Sequence, residues 1–251
     1  MSRLGRTVAR SSNNEQIDFL PAVDGPISHV DRAELSLIPF ENAAPIRTAP
    51  NYKGQRNYTG EWWCATTERH VAYESWVERD FLMSADFDND VVGIAVQPFT
   101  FRFLASTGSL REHTPDVFLR HRNGDATVVD VRPDARVDND ANEAFESTRR
   151  LCDEVGWNYS RTGEQPPIRA GNLRWLAGYR NVRNRVAPVA TRLISELESE
   201  GRMTISALAS AAGDPVLVLP TLYHLMWRHE ISVDVSSTLL NMNTIIEAAP
   251  R

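Results

Sequence analysis

The sequence of 251 residues predicts an α/β fold, a mixed sheet flanked by helices with a helical part at the C-terminal end. Three observations predict it. First, Asn123-Gly124 lies between two apolar runs, Val117–Leu119 and Ala126–Val131, which is the pattern of a β-hairpin. Second, Ala144, Phe145, Thr148, Leu151 and Cys152 recur at helical spacing just beyond it and lead into a further extended run, Gly156-Trp157-Asn158-Tyr159. Third, the stretches Pro188–Glu200, Ile205–Ala212 and Val216–His229 read as helices, with stops at Gly201 and Gly213 and caps at Thr204 and Asp214.

In chain order, residues 1–60 read as an extended arm. Pro21, Pro26, Pro39, Pro45 and Pro50 deny it long helices, and its apolar pieces, Ile17–Val23 and Leu35–Phe40, are short. Thr67 is an N-cap candidate for a helix from Glu68, whose stripe is Tyr73, Trp76, Val77, Phe81 and Ser84. Glu74 and Glu78 share another face of that helix, one turn apart. Val91–Phe103 reads as extended strand with Pro98 at a bulge or edge.

The hairpin has two possible registers. A three-residue loop with Gly124 left-handed sets His121 against Asp125 and Asp116 against Asp130, on the same side as Arg132. A two-residue loop would send the carboxylates to opposite faces. We take the three-residue form. A helix follows over roughly Asn139–Val155. Asn172–Arg185 then carries Arg174, Trp175, Tyr179, Arg180, Arg183 and Arg185, an interleaving of basic and aromatic residues that suits phosphate gripping and stacking, the alternative being an amphipathic connector. The final helices precede a strand at Ile231–Val235, a winged-helix-like order, with Leu217, Leu219, Leu222, Leu225 and Met226 as core. Glu196, Glu198 and Glu200 make that part as suited to docking a protein as to binding DNA. The expected domains are therefore 1–60, 61–181 and 182–251.

Composition narrows the function. A net charge of −6 excludes a uniformly basic surface, so any DNA contact must come from local arginine patches. Lys53 is the only lysine, and every other basic residue apart from the histidines is arginine. Cys64 and Cys152 make neither a disulfide framework nor a zinc site, which points to a reducing cytoplasm. The sequence lacks a run of membrane-span length, and its basic start lacks the apolar segment of a secretory signal.

Two aspartates facing each other at the mouth of a hairpin repel unless a cation lies between them. Oxygen donors favour Mg²⁺ or Mn²⁺ over zinc, and the carbonyl of Val131 would add a ligand. Arg132, two residues beyond Asp130, would face a phosphate or a metal-bound hydroxide. It cannot serve as a base at usable pH. This is the layout of the Pro-Asp … Asp/Glu-x-Lys nucleases, with arginine in place of lysine.

Taken together, Ser75-Trp76-Val77-Glu78, Val91-Val92-Gly93-Ile94, Gln97-Pro98, Pro115-Asp116 and Asp130-Val131-Arg132 resemble the TnsA-like endonuclease subunit of heteromeric transposases, over roughly Glu68 to Arg185. The resemblance implies a restriction-endonuclease-like core with two Mg²⁺ (or Mn²⁺) ions held by Glu78, Asp116 and Asp130. Glu74 is the alternative helix acid, Arg132 the lysine equivalent and Gln97 a supporting polar residue. It implies hydrolysis of phosphodiesters at the 5′ ends of a transposon in double-stranded DNA. A DDE-type transposase and an AAA ATPase regulator would be the partners, and Arg174, Arg180, Arg183 and Arg185 the DNA contacts. A stand-alone restriction- or repair-type nuclease and a catalytically inactive DNA-binding scaffold of the same fold are the alternatives.

Overall fold

The computed structural model describes residues 16–47 and 58–249. In chain order the strands and α-helices begin with β1 (Gln16–Phe19), β2 (Ser28–Asp31), β3 (Gly60–Cys64), β4 (Arg69–Tyr73), α1 (Trp76–Phe87) and β5 (Val91–Val96). They continue with β6 (Phe99–Leu104), β7 (Leu110–His113), β8 (Val117–His121), β9 (Ala126–Val131), α2 (Asn139–Val155), β10 (Asn158–Thr162) and α3 (Pro167–Ala177). The rest are α4 (Ala187–Glu200), β11 (Arg202–Thr204), α5 (Ile205–Ala212), α6 (Pro215–Trp227), β12 (Ile231–Val233) and β13 (Ile245–Ala248). They form an α/β protein of mixed and antiparallel sheets. The chain divides into two compact units, one built from the N-terminal segment and residues 93–162, the other from the segment ending at Val92 and from residue 163 onward.

Unit one holds two four-stranded sheets, β2-β1-β6-β7 and β10-β9-β8-β5. Strand β10 returns parallel to β9 after the α2 crossover, whereas β8 and β9 are antiparallel. Their apolar faces meet in one core that includes Ile17, Leu35, Phe40, Phe99, Phe118, Val128, Leu151 and Trp157. Phe40 sits at its centre, with ring centroids 5.0 Å from Phe99, 5.8 Å from Phe118 and 5.8 Å from Trp157. The described part of the expected arm is thus built into this core. Ile17, Leu35 and Phe40 are each fully buried, and burying such side chains stabilises by about 2 kcal/mol apiece.

Two local readings are borne out here, the helix over Asn139–Val155 and the three-residue hairpin loop. Asp138 caps α2 by accepting from the Ala141 N–H at 2.8 Å, and Gly156 ends it in the left-handed region. The hairpin takes the three-residue loop. Gly124 has φ +93°, the His121 N–H donates to the Asp125 carbonyl at 2.9 Å, and Val117 pairs with Val129. The expected continuous strand over Val91–Phe103 is instead broken at Gln97-Pro98. Gln97 has φ +48°, and β5 and β6 go to different sheets.

In unit two the helix expected from Glu68 begins at Trp76. Residues 69–73 form β4 against β3, because Glu68 takes φ +53° in the turn and Val71 points inward between exposed neighbours. Ser75 is the true N-cap, accepting from the Glu78 N–H at 3.2 Å. The stretch Asn172–Arg185 is not a single element: α3 runs from Pro167 and stops at Ala177 before Gly178. At the C-terminal end the order α4, β11, α5, α6, β12, β13 carries a three-stranded antiparallel sheet, β11-β13-β12. Leu193, Leu197, Leu208, Leu222, Leu225, Met226 and Ile246 are buried. Leu217, expected in the core, is 70 % exposed at the start of α6. Among the described residues no helix is long and apolar enough to cross a membrane.

Candidate active site on the hairpin

Strand pairing brings Asp116, Asp130, Val131 and Arg132 together. Since Val117 faces Val129, Asp116 and Asp130 are the next facing positions at the open end of the hairpin. Asp116 is held at two points. Its Oδ2 accepts the Val131 N–H at 2.7 Å, and its carbonyl accepts the Gln97 N–H at 2.9 Å. Gln97 is itself buried and fixed by the Ile46 N–H, which donates to its carbonyl at 3.0 Å. Val131 therefore contributes its N–H to Asp116, a contact that the expected ligand role of its carbonyl did not foresee.

Asp130 is fully buried. Strand alternation puts it on the face of Ala126 and Val128, toward the core, and its exposure is 0 %. Its Oδ1 lies 2.9 Å from His113 Nε2, and its Oδ2 accepts the Tyr159 hydroxyl at 2.9 Å. Burial, then the nearby Asp130 carboxylate, push the Tyr159 phenol far above its ordinary range, so it stays a donor. The same two causes push the Cys152 thiol up to about 12. His113 presents its ring edge-on to Phe101 and Phe145, with centroids at 5.9 and 6.2 Å.

Arg132 lies just past β9. Its backbone N–H donates to Thr162 at 2.8 Å, its Nε donates to the Arg136 carbonyl at 2.8 Å, and its Nη2 is 4.0 Å from Asp138 Oδ2. Almost half of the side chain is exposed.

Both expected helix acids belong to unit two, but only Glu78 lies on α1, whereas Glu74 precedes its Ser75 cap, so the two do not share a helix face. Glu78 works there on its own helix start, with Oε2 accepting the Glu74 N–H at 2.8 Å and Oε1 accepting the Ser75 hydroxyl at 2.9 Å. No family model and no curated protein matches the chain. The reading of the site therefore rests on its chemistry.

Hard oxygen donors of this kind suit Mg²⁺ or Mn²⁺. The arrangement does not fit the ion pair that the resemblance implies. Both Asp130 oxygens are taken by protein donors, and among the described residues no three of His, Cys, Asp or Glu gather closely enough to hold a metal ion.

Of the four arginines expected on DNA, three are already engaged. Arg174 Nη2 lies 2.5 Å from Asp80 Oδ2, and Arg185 Nη2 lies 2.6 Å from Glu230 Oε2. Arg180 is half-buried over the Trp62 indole and donates to the Trp63 carbonyl, while Arg183 is exposed. His113 and Tyr159 are the residues that the sequence reading missed. A histidine three places before Asp116 was visible, but its tie to Asp130 depends on the β6–β7 hairpin and the parallel β9–β10 pairing.

Proposed function

We propose that this chain is the endonuclease subunit of a heteromeric transposase, acting on phosphodiesters at the 5′ ends of a transposon. The observation that carries the reading is the order and pairing of unit one. Asp116 opens a strand directly opposite Asp130, Arg132 follows just past the second strand, and a helical crossover then adds a parallel strand to give the order β5-β8-β9-β10. A restriction-endonuclease-like core has a strand beside an antiparallel hairpin, then a crossover helix and a parallel strand, with its acids at one end of that hairpin; in unit one β6 and β7 leave this order for the other sheet. The order α4, β11, α5, α6, β12, β13 supports a winged-helix-like C-terminal domain.

Asp116 has the central role in this reading, since it is fixed by two hydrogen bonds at the hairpin mouth. Arg132 is placed to neutralise charge on a phosphate oxygen. A DDE-type transposase and an AAA ATPase are the proposed partners; Asp116 would hold a divalent cation, which would supply the Lewis acidity for phosphodiester hydrolysis. The test is cleavage of a plasmid carrying transposon ends by the complete assembly in Mg²⁺ or Mn²⁺. New 5′ ends with the wild type and none with Asp116→Ala are expected. Their absence from the complete assembly would reject the reading, and cutting without partners would point to a stand-alone nuclease.

The Asp130 contacts favour a second reading, a DNA-binding scaffold of the same fold that does not cut. In that case the assembly would form on DNA and join 3′ ends while the 5′ ends stayed intact.

A further inference from the structure

We propose that Asp130 is a positioning carboxylate and not a metal ligand, and that His113 and Tyr159 hold it in that role. The consequence for catalysis rests on the nuclease reading; the anchoring itself does not. Three observations carry it. Asp130 has no exposed surface, each of its oxygens meets a different protein group at 2.9 Å, and its two partners come from strands of different sheets, β7 and β10. Turning the carboxylate toward the hairpin mouth would strand the Tyr159 hydroxyl and the His113 ring nitrogen in an apolar layer with Phe101 and Phe145.

The contact has an outlet toward Asp116. The peptide between Asp130 and Val131 carries the N–H that donates to Asp116 Oδ2 at 2.7 Å. Fixing the Asp130 side chain fixes the rotation of that peptide, and through it the direction of the second Asp116 oxygen. Sequence order makes Asp116 and Asp130 look equivalent. The structure assigns them different work: Asp116 is only partly buried, whereas Asp130 is fully buried between His113 and Tyr159.

The experiment compares full-length wild type with Asp130→Asn, Asp130→Ala, Asp116→Asn and Tyr159→Phe, by melting in metal-free buffer and by Mn²⁺ titration calorimetry. A ligand carboxylate is a repulsive group in the absence of metal, so its removal leaves stability unchanged or raises it, whereas removing an anchor lowers it. Asp130→Ala is expected to melt roughly 5 °C or more below wild type, and Asp116→Asn at or above it. Tyr159→Phe should add little on top of Asp130→Ala, because the two act through one contact. The amide of Asp130→Asn can accept from Tyr159 and donate to the other His113 tautomer, so Mn²⁺ affinity should stay within about threefold while Asp116→Asn loses tenfold or more. The proposal is overturned if Asp130→Ala melts at or above wild type, or if Asp130→Asn weakens Mn²⁺ binding as far as Asp116→Asn does. Should the wild type bind no Mn²⁺ at all, the nuclease reading loses its ion, and the melting comparison alone decides the anchor.

Discussion

Arg180 lies on the indole of Trp62, its guanidinium carbon 4.0 Å from the ring centroid, while its Nε donates to the Trp63 carbonyl at 2.9 Å. Desolvation lowers its pKa from the usual guanidinium value. Arg180→Ala should therefore cost about 1–3 kcal/mol of stability, from the lost cation–π contact and hydrogen bond. DNA affinity and its salt slope should change little. Urea unfolding beside a fluorescence binding titration checks this, and a variant of unchanged stability with weaker, less salt-dependent binding would return Arg180 to the DNA surface.

Beneath that pair, the buried Asp86 accepts from Trp62 Nε1 at 3.0 Å, Cys64 Sγ at 3.1 Å, the backbone N–H groups of Ala65 and Thr66 at 3.0 and 2.8 Å, and the Thr66 hydroxyl at 2.9 Å. It ties the β3–β4 hairpin to the end of α1. Asp86→Ala strands these donors at once, and a loss of roughly 3–5 kcal/mol is expected in urea melts. Burial first, then Asp86, pushes the Cys64 thiol up to about 12, so it should resist alkylation at pH 8 in the native protein. Rapid labelling of Cys64 in Asp86→Ala but not in wild type would confirm the coupling.

What was legible in the sequence was what short-range chemistry decides. Asn123-Gly124 set the hairpin loop and so the Asp116–Asp130 register, and the helical spacing of Ala144, Phe145, Thr148, Leu151 and Cys152 placed α2. The start of α1 was misread because Tyr73 fits a helical stripe and a five-residue strand equally well. The Ser75–Glu78 capping pair was the stronger mark. Phe40 sits among prolines in a short apolar piece, and no local pattern shows that four aromatic rings close around it. Register also cannot tell where a facing side chain makes its bonds. Asp130 meets His113 and Tyr159 because of long-range strand pairing, which is invisible along the chain.

His224 is buried in α6, with its Nδ1 2.8 Å from the Tyr179 carbonyl. Burial lowers its pKa below the ordinary imidazole value, outweighing the Tyr179 hydrogen bond that raises it. The unfolded chain therefore takes up this proton at a higher pH than the folded one. The stabilisation is present above about pH 6.5 and declines as the pH falls. Wild type should lose more melting temperature between pH 7 and pH 5 than His224→Gln does. Parallel profiles would show that His224 titrates alike in both states.

Two glycines separate backbone cost from steric cost. At Gly124, with φ +93°, an added methyl meets nothing within 4 Å, so Gly124→Ala should cost only about 1–2 kcal/mol, from the left-handed backbone. At Gly93 the same methyl would lie 2.7 Å from Glu41 Cβ and 3.2 Å from Arg120 Cβ. Gly93→Ala should cost more, roughly 2–4 kcal/mol. Equal losses in denaturant titrations would mean that the β5–β8 edge yields to the methyl.

Arg132 tests the nuclease reading most directly. Its side chain makes one backbone hydrogen bond, to Arg136 at 2.8 Å, and a 4.0 Å approach to Asp138, so exchanging it should change stability by less than about 1 kcal/mol. Arginine supplies charge and donors but stays protonated, whereas lysine can do both and also shed a proton. Arg132→Lys should thus keep or raise the single-turnover rate of 5′ cutting in the complete assembly. Arg132→Ala should lower it by about ten- to a hundredfold, as expected when a group that stabilises transition-state charge is removed. A fully folded but inactive Arg132→Lys would show that this position is not the lysine site of the nuclease pattern, and the arginine would then have to be explained by its hold on the turn at 133–136.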